Sequence, residues 1–501
     1  MKYLILLIVS FYLLPINCQI QIGNDITGDL PSDLAGRSVA LSADGKRVAV
    51  GAPYNNGTGT DQGQVRIFEE NGGTWKQLGS DILGEGNSDR SGWSVALSAN
   101  GKRVAVGALL NDGGSFNTGH VRIYEETGGV WKQLGSDIDG ENSGDRSGFS
   151  VALSDDGRRV AIGAIYNSSN GYNAGQVRVF EENNAIWTRV GTDIDGEADS
   201  DESGRSVSLS ADGKRVAIGA IFNDGSGLSS GNVRVFDEIN GSWVKVGTDI
   251  DGEAASDESG WSVSLSSSGK RIAIGARYND GNGSDAGHVR IFEESGGSWA
   301  QVGTDIDGST VASAAGVVSL SGNGKRVAIG APFNSENGNN AGKLSIYDEI
   351  GGVWTQIGSD VLGVATEDRF GWAVALSSDG KRVAAGAIYN SDNGNNSGHV
   401  RIYGGSLIPT EDLNVKEVFS IQLTPNPTKD KFTLNLDLNQ VTDLQIKIMA
   451  YTGKILLEES LKEVIGEFSK KYDLTLFPEG IYFIEVSNNE KSITKKLLLH
   501  H

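Results

Sequence analysis

A repeat governs this chain. The aspartates of a recurring Gly-x-Asp stand at Asp25, Asp81, Asp137, Asp193, Asp249, Asp305 and Asp360; five of the steps are 56 residues and the last is 55, which makes seven copies. Within one copy, as in residues 91–136, three runs alternate apolar and polar side chains (SVALS, KRVAVGA, HVRIYEE), and a fourth, VWKQLG, carries a tryptophan. Alternation with period two predicts strands, and the Gly, Asn and Asp clusters between the runs predict turns. Four antiparallel strands per unit, at a period in the tens of residues, is the signature of propeller blades. The expected fold class is therefore all-β, with residues 19–404 forming a seven-bladed β-propeller. The 70 glycines fit a protein of tight turns and carry no collagen-like period.

Trp75, Trp131, Trp187, Trp243, Trp299 and Trp354 mark the fourth strand of six copies, whereas the seventh stops after its third run, HVRIYGG. The missing strand stands at the other end of the chain. Residues 19–25, QIQIGND, align with WKQLGSD, with Gln19 where the tryptophan would be. This segment is expected to complete the last blade, because an open ring would leave unpaired strand edges. Loops joining strands 1–2 and 3–4 then lie on one face, the bottom. Loops joining strands 2–3, and each blade to the next, lie on the top. Asp44-Gly45, Asn100-Gly101 and Asp156-Gly157 in the bottom turns predict two-residue hairpins with positive φ at both positions. The top loops are longer and differ between copies, and variable loops on a rigid frame are where binding concentrates.

Residues 1–18 carry Lys2 and then an apolar run too short for a membrane span, the pattern of a secretory signal cleaved near Cys18; a lipoprotein reading of Cys18 is the alternative, against which Pro15-Ile16-Asn17 lacks the small residues such a site prefers. Cys18 is the only cysteine, so the mature chain must be held by burial and sheet closure without disulfides. The formal net charge is −21, and from Val418 onward ten Lys/Arg nearly balance eleven Asp/Glu, which leaves the excess negative charge on the repeats. Repulsion from phosphate argues against a nucleic-acid partner; cations or a basic surface are easier. No later stretch is apolar enough to span a membrane, and a monomer is expected.

Phe370-Gly371-Trp372-Ala373-Val374, with Gly51-Ala52-Pro53 and Gly330-Ala331-Pro332, resembles the FG-GAP repeat, the blade unit of integrin α-subunit propellers and of many bacterial surface proteins. Most copies diverge from it, with Leu109, Ile165, Ile221, Arg277 or Ile388 at the third GAP position. After Gly404 the period ends, and residues 405–417 read as a polar linker. Over residues 418–501, Thr424-Pro425-Asn426-Pro427, Tyr451-Thr452-Gly453-Lys454, Phe477-Pro478-Glu479-Gly480-Ile481-Tyr482 and Lys495-Lys496-Leu497 resemble the C-terminal sorting domain of type IX secretion cargo. That family is a small Ig-like β-sandwich found in Bacteroidetes. The resemblance implies the type IX machinery as a partner and a location outside the cell or on its outer surface.

Many FG-GAP relatives hold calcium in the 1–2 loop. Here that loop offers one carboxylate, Asp44, beside Lys46 and Arg47, so the family's site is not carried over. The top loop with Asp280, Asn282 and Asp285 is the one weak calcium candidate; a Gly/Asn loop built for positive φ is the favoured reading. Asp193, Asp195, Glu197, Asp199, Asp201 and Glu202 crowd one interblade loop, and two readings stay open: a rim that attracts cations, or a solvated surface with some acids paired to Arg90, Arg146 and Arg369.

The residue after each repeat's first glycine enters the innermost strand from the top. In blade order it is Arg37, Trp93, Phe149, Arg205, Trp261, Val317 and Trp372, and these seven are expected to ring the mouth of the central channel. Where tryptophan stands, the residue 27 later is histidine: His120, His288 and His399. Strand spacing places each such pair about 9–10 Å apart between Cα atoms, near enough for indole and imidazole to meet. Aromatic and cationic groups at a mouth stack sugars or take up a partner's side chain, although the same groups could simply pack. Integrin α propellers use aromatic residues on the corresponding face to receive a basic side chain. No carboxylate pair, histidine or thiol is assembled in a way that general acid–base chemistry would need. The expected function is non-catalytic recognition of a protein or glycan through the top face, without a cofactor; the rival is a glycan-processing enzyme on the same frame.

Overall fold

The computed structural model describes residues 19–404, 419–426, 428–450, 454–487 and 492–500, so the expected leader and linker lie outside the described residues. Two compact units result, one holding the repeats and one the C-terminal segment.

In the repeat unit the described residues form seven antiparallel sheets of one plan. The second is built from Ser91–Leu97, Arg103–Ala108, His120–Thr127 and Val130–Gln133, in that order from the axis outward. The outermost position is shared. Val130–Gln133 pairs with the lower half of the third strand, and the short Ile138–Asp139 pairs with its upper end. Between them Gly135 turns the chain at φ +79°, and a Cβ there would lie 2.9 Å from Trp187 of the next blade. The glycine of Gly-x-Asp thus makes room for a neighbour's indole. Its aspartate is a turn fixture: Asp137 accepts from Gln133 at 2.5 Å and Asp305 from Gln301 at 2.6 Å.

The second strands, such as Val104 to Ala108, are buried along their whole length. Alternation in sequence does not survive as alternation in exposure, because every sheet is packed on both faces by its neighbours. Each core lies between two blades; Ala105, Val121 and Ile123 of the second meet Ile138, Val160 and Ile162. The same packing joins last to first, where Ala384, Val400 and Ile402 bury Ile26, Val48 and Val50.

The circle is closed in four independent ways. Ile20 and Gln21 pair with Gly404 and Tyr403, and Ile26 and Thr27 pair with Val400 and His399. Six tryptophans donate from Nε1 to the carbonyl before the preceding blade's Gly-x-Asp, Trp75 to Ile22 at 2.8 Å among them. Gln19, in the seventh tryptophan position, donates to Ile357 at 3.5 Å in the same way. On the bottom, backbone bonds run from blade to blade, Ala43 to Ala99, Ala99 to Asp155 and onward, until Asp379 donates back to Ala43 at 3.4 Å. Finally, the arginine opening a second strand reaches a glutamate of the next blade: Arg47 to Glu126 at 3.2 Å, Arg103 to Glu182 at 3.1 Å and, across the seam, Arg382 to Glu70 at 3.3 Å.

The bottom turns differ from the expected hairpin. Gly45 has φ +65° but Asp44 does not share that region. Asp44 instead accepts from Ser42 Oγ at 2.7 Å and from the Lys46 N–H at 3.0 Å. Side-chain hydrogen bonding holds the aspartate in ordinary backbone space and leaves one left-handed residue per turn.

The C-terminal unit pairs Phe419–Thr424, Lys431–Ala450, Gly480–Ser487 and Ser492–Leu499, with Ile455–Asp473 also on the long strand. Both halves of that strand, Phe432, Leu434 and Leu436 and then Leu444, Ile446 and Ile448, feed one core with Ile484, Val486 and Leu497. The described residues of this unit form one five-stranded sheet built around a long hairpin. Asn426 of the Thr-Pro-Asn-Pro motif holds the last strand by donating to Lys496 O at 2.7 Å and accepting from Leu498 N at 3.0 Å.

Candidate functional site

Four innermost strands, in the second, third, fifth and seventh blades, begin with an irregularity. In the second blade the register runs Ser91 to Ala108 and then Ser94 to Gly107, so two residues are extruded between them. Gly92 occupies the bulge at φ +84°, with its backbone against Gly51 of the preceding blade. A bulge re-aims the following side chain, and Trp93 is turned toward the axis. The third, fifth and seventh blades repeat the shift.

The seven mouth positions converge. Arg37, Trp93, Phe149, Arg205, Trp261, Val317 and Trp372 all line one cavity of about 260 Å³, with Arg277 and Phe333 completing the wall beside Val317. The rings and guanidiniums alternate in contact. The Arg37 guanidinium lies 5.6 Å from the Trp372 ring centre and 4.0 Å from that of Trp93. Trp93 and Phe149 are 5.8 Å apart. Arg205 lies 4.6 Å from Phe149 and 3.9 Å from Trp261. Arg277 lies 3.2 Å from the Trp261 ring centre.

Electrostatics give this wall a sign. Arg277 is paired with Glu258 at 3.0 Å. Arg37 and Arg205 have neither a side-chain hydrogen bond nor an ion pair among the described residues; each lies against aromatic faces, and Glu202 and Glu258 act on Arg205 only from beyond ion-pair distance. Burial, and then the charge of Arg205, pushes Arg37 down to about 10; burial and then Arg277 push Arg205 down to about 10. Both stay charged at neutral pH. In a chain with 64 acidic residues against 43 basic ones, unpaired cations facing a cavity are an arrangement that an anion would relieve. The serines one step further in are already committed: Ser38 Oγ donates to Gly92 O at 2.8 Å and Ser150 Oγ to Gly204 O at 2.7 Å. A second cavity of about 130 Å³ lies on the bottom, bordered by Leu41, Leu97, Leu209, Leu265, Leu320 and Leu376.

The expected meeting of tryptophan and histidine does not occur at this cavity. His120, His288 and His399 are absent from its wall. Because of the bulge, the top row of the second blade is Ser91, Ala108, His120 and Asp139, and Trp93 falls inward of it. Each histidine faces the interblade acids instead: His120 Nδ1 is 3.6 Å from Asp137, His288 Nδ1 3.7 Å from Glu253 and His399 Nδ1 3.5 Å from Asp25.

Two further expectations change. Arg90, Arg146 and Arg369 lie over Tyr54, Tyr166 and Tyr389 at 4.6, 4.5 and 4.7 Å rather than pairing with the acidic loops. In that loop Asp193 takes Arg189 at 2.8 Å and Asp201 takes Asn223 at 3.0 Å. The calcium candidate is a loop fixture. Asp280 Oδ1 accepts the Asp285 N–H at 2.8 Å and Asn282 Nδ2 donates to Gly308 O at 2.8 Å; Asp112 and Asp224 make the first of these bonds in their own blades.

Sequence reasoning missed two features. One is a buried Asp–Asn pair that in six blades ties the 2–3 loop to the preceding interblade loop, as in Asn111 to Asp89 at 2.9 Å and Asn55 to Asp33 at 3.0 Å; its signal was an asparagine 22 residues after an aspartate in those six copies. The other is an apolar set on the top loops of three consecutive blades: Phe116, Tyr172 and Leu228 share one loop position and are 71, 70 and 72% exposed. Thr60, Ser284, Asn339 and Asn395 hold that position elsewhere.

Blades of four strands in a closed circle, four of them opening on a glycine bulge, define a β-propeller of the FG-GAP kind. The chain carries FG-GAP repeats, matched over residues 138–180, 248–292 and 362–403, and ends in a secretion system C-terminal sorting domain, matched over residues 422–500. That tail marks it for export by the type IX system, to the cell surface or beyond. Among the described residues no helix is long and apolar enough to cross a membrane. Among solved structures the chain is similar to Kuenenia stuttgartiensis hydrazine synthase, at 14% identity and TM-score 0.49, covering 77% of this chain and 98% of that one. It is also similar to the β-propeller domain of the Trilobed protease from Pyrococcus furiosus, which has an open velcro topology, at 11% identity and TM-score 0.41, covering 70% and 90%. At such values neither bears on what this chain does. No curated protein matches it.

Proposed function

We propose that this exported propeller is a non-catalytic binding protein, and that its top cavity receives an acidic group presented by a glycan or a protein. The observation that carries the reading is the convergence of Arg37 and Arg205, both unpaired, with Trp93, Trp261 and Trp372 on one cavity. Flat rings stack a sugar face or a planar side chain, and guanidiniums take a carboxylate or sulfate in a fixed geometry. The cavity wall holds no carboxylate, imidazole or thiol, so the groups that ordinarily move a proton in hydrolysis are elsewhere. Phe116, Tyr172 and Leu228 extend apolar surface to one side of the top face, which suits a ligand larger than the cavity.

The test pairs binding with turnover. Purified protein is screened against acidic and neutral glycans and peptides, and each binder is incubated with it and checked for cleavage. Trp93→Val supplies the variant, because Val317 shows that the ring position accepts valine. Binding that falls tenfold or more in the folded variant, without cleavage by the wild type, is the expected result. Cleavage would move the protein to the enzyme reading, and unchanged binding would leave Trp93 a packing role only.

A further inference from the structure

The three histidines that left the cavity form a pattern of their own. His120, His288 and His399 are each 1% exposed, and neither ring nitrogen of any of them has a hydrogen-bond partner. Each is aimed at two carboxylates: Glu85 and Asp137 in the second blade, Glu253 and Asp305 in the fifth, Asp25 and Asp392 in the seventh. In every cluster one atom from each of the three groups lies within 4.8 Å of the others. The shortest nitrogen–oxygen distances, 3.6, 3.7 and 3.5 Å, exceed those of a good N–H···O bond. They approach the separation of about 3.3–3.5 Å between two ligands that share a tetrahedral ion at about 2.0–2.1 Å from each.

The geometry points to three zinc sites on the top rim, one in each histidine-bearing blade, with His Nδ1 and two carboxylates as protein ligands and water in the fourth position; the second carboxylate comes from the interblade loop in the second and fifth blades (Glu85, Glu253) and from the 2–3 loop in the seventh (Asp392). A mixed nitrogen and oxygen set suits zinc, whereas calcium takes oxygen alone. One guanidinium borders each cluster: Arg122 reaches Glu85 at 3.3 Å, Arg290 reaches Glu253 at 3.5 Å and Arg401 reaches Asp25 at 2.7 Å. Two carboxylates against one guanidinium leave a negative charge facing each ring. The carboxylates are also the way in, since Glu85 and Glu253 are 49 and 44% exposed at the side chain. The sixth blade shows the place accepting a cation: Lys343, with Ser345 where the others have arginine, sets its ammonium 3.1 Å from both Glu336 and Asp360.

Blades without histidine supply a conservative substitution. Gln64 and Gln176 occupy the position in the first and third, donating to Asp81 at 2.8 Å and Asp195 at 3.1 Å. Zinc is titrated calorimetrically into the full chain, the single variants His120→Gln, His288→Gln and His399→Gln, and the triple variant. The expected result is three equivalents in the wild type, two in each single variant and none in the triple, with unfolding temperatures of the metal-free proteins unchanged. No uptake by the wild type would overturn the inference. So would full uptake by the triple variant, which would assign the zinc to exposed groups such as His500.

Discussion

Ile26 offers an internally controlled test of the ring. It is 4% exposed in the seam between the last and first blades, and Ile138 holds the same position between the second and third at 5%. One lies in the segment that precedes the first blade; the other is deep in the repeat. A closed circle makes the two sites equivalent, so Ile26→Ala and Ile138→Ala should each cost about 2–4 kcal/mol from lost burial and the cavity left behind. A propeller of roughly 390 residues has an unfolding entropy of about 0.8 kcal/mol per degree, so either change should lower its unfolding temperature by about 3–5 °C. Differential scanning calorimetry of the wild type and both variants reads the shifts directly. Equal shifts are expected. A shift for Ile138→Ala with none for Ile26→Ala would refute the closure by residues 19–27 and the two-faced disc built on it.

Arg382→Ala removes the bridge to Glu70 and the bond to Gly45 O at 3.2 Å across the seam; with Glu70 left unpaired it should destabilise by about 1–3 kcal/mol in urea denaturation. The Gly129 N–H and, against the opposing effect of burial, Arg47 hold Glu126 below the usual carboxylate range, as the corresponding groups hold Glu70, Glu182 and Glu294. A depressed folded value means stability that is present above the unfolded value of about 4.3 and is lost as pH falls through the folded one. Unfolding temperature should therefore decline below about pH 4.3, and Glu126→Gln should make that decline shallower. Removing residues 422–500 should leave the propeller's unfolding temperature unchanged and abolish export, seen as retention in cell fractionation.

Much of the fold was legible because the repeat states it seven times. A single SVALS or HVRIYEE is weak, but in-phase copies and the alignment of Gln19 with six tryptophans fix both the blade and its closing partner, down to the bond from Gln19 to Ile357. The mouth residues were legible for the same reason, since position in the repeat sets position on the ring. What escaped depends on one-residue register and on side-chain competition. The bulge at Gly92 separates Trp93 from His120, and nothing in a run of SGWSVAL announces where pairing resumes. Arg90, Arg146 and Arg369 sit near acids in sequence, yet tyrosines from the loops win them. The acids have nearer donors of their own, Arg189 for Asp193 and Asn223 for Asp201.

The account depends most on the unpaired guanidiniums of the cavity. The decisive measurement is a set of binding isotherms for matched acidic and neutral ligands, taken with the wild type and with Arg37→Gln/Arg205→Gln. Charge-assisted hydrogen bonds of about 1.5–3 kcal/mol correspond to roughly 10–100-fold per contact. The prediction is that acidic members bind, their neutral counterparts do not, and the folded double variant loses at least tenfold. Neutral ligands binding as tightly as acidic ones, or a double variant that binds like the wild type, would contradict it.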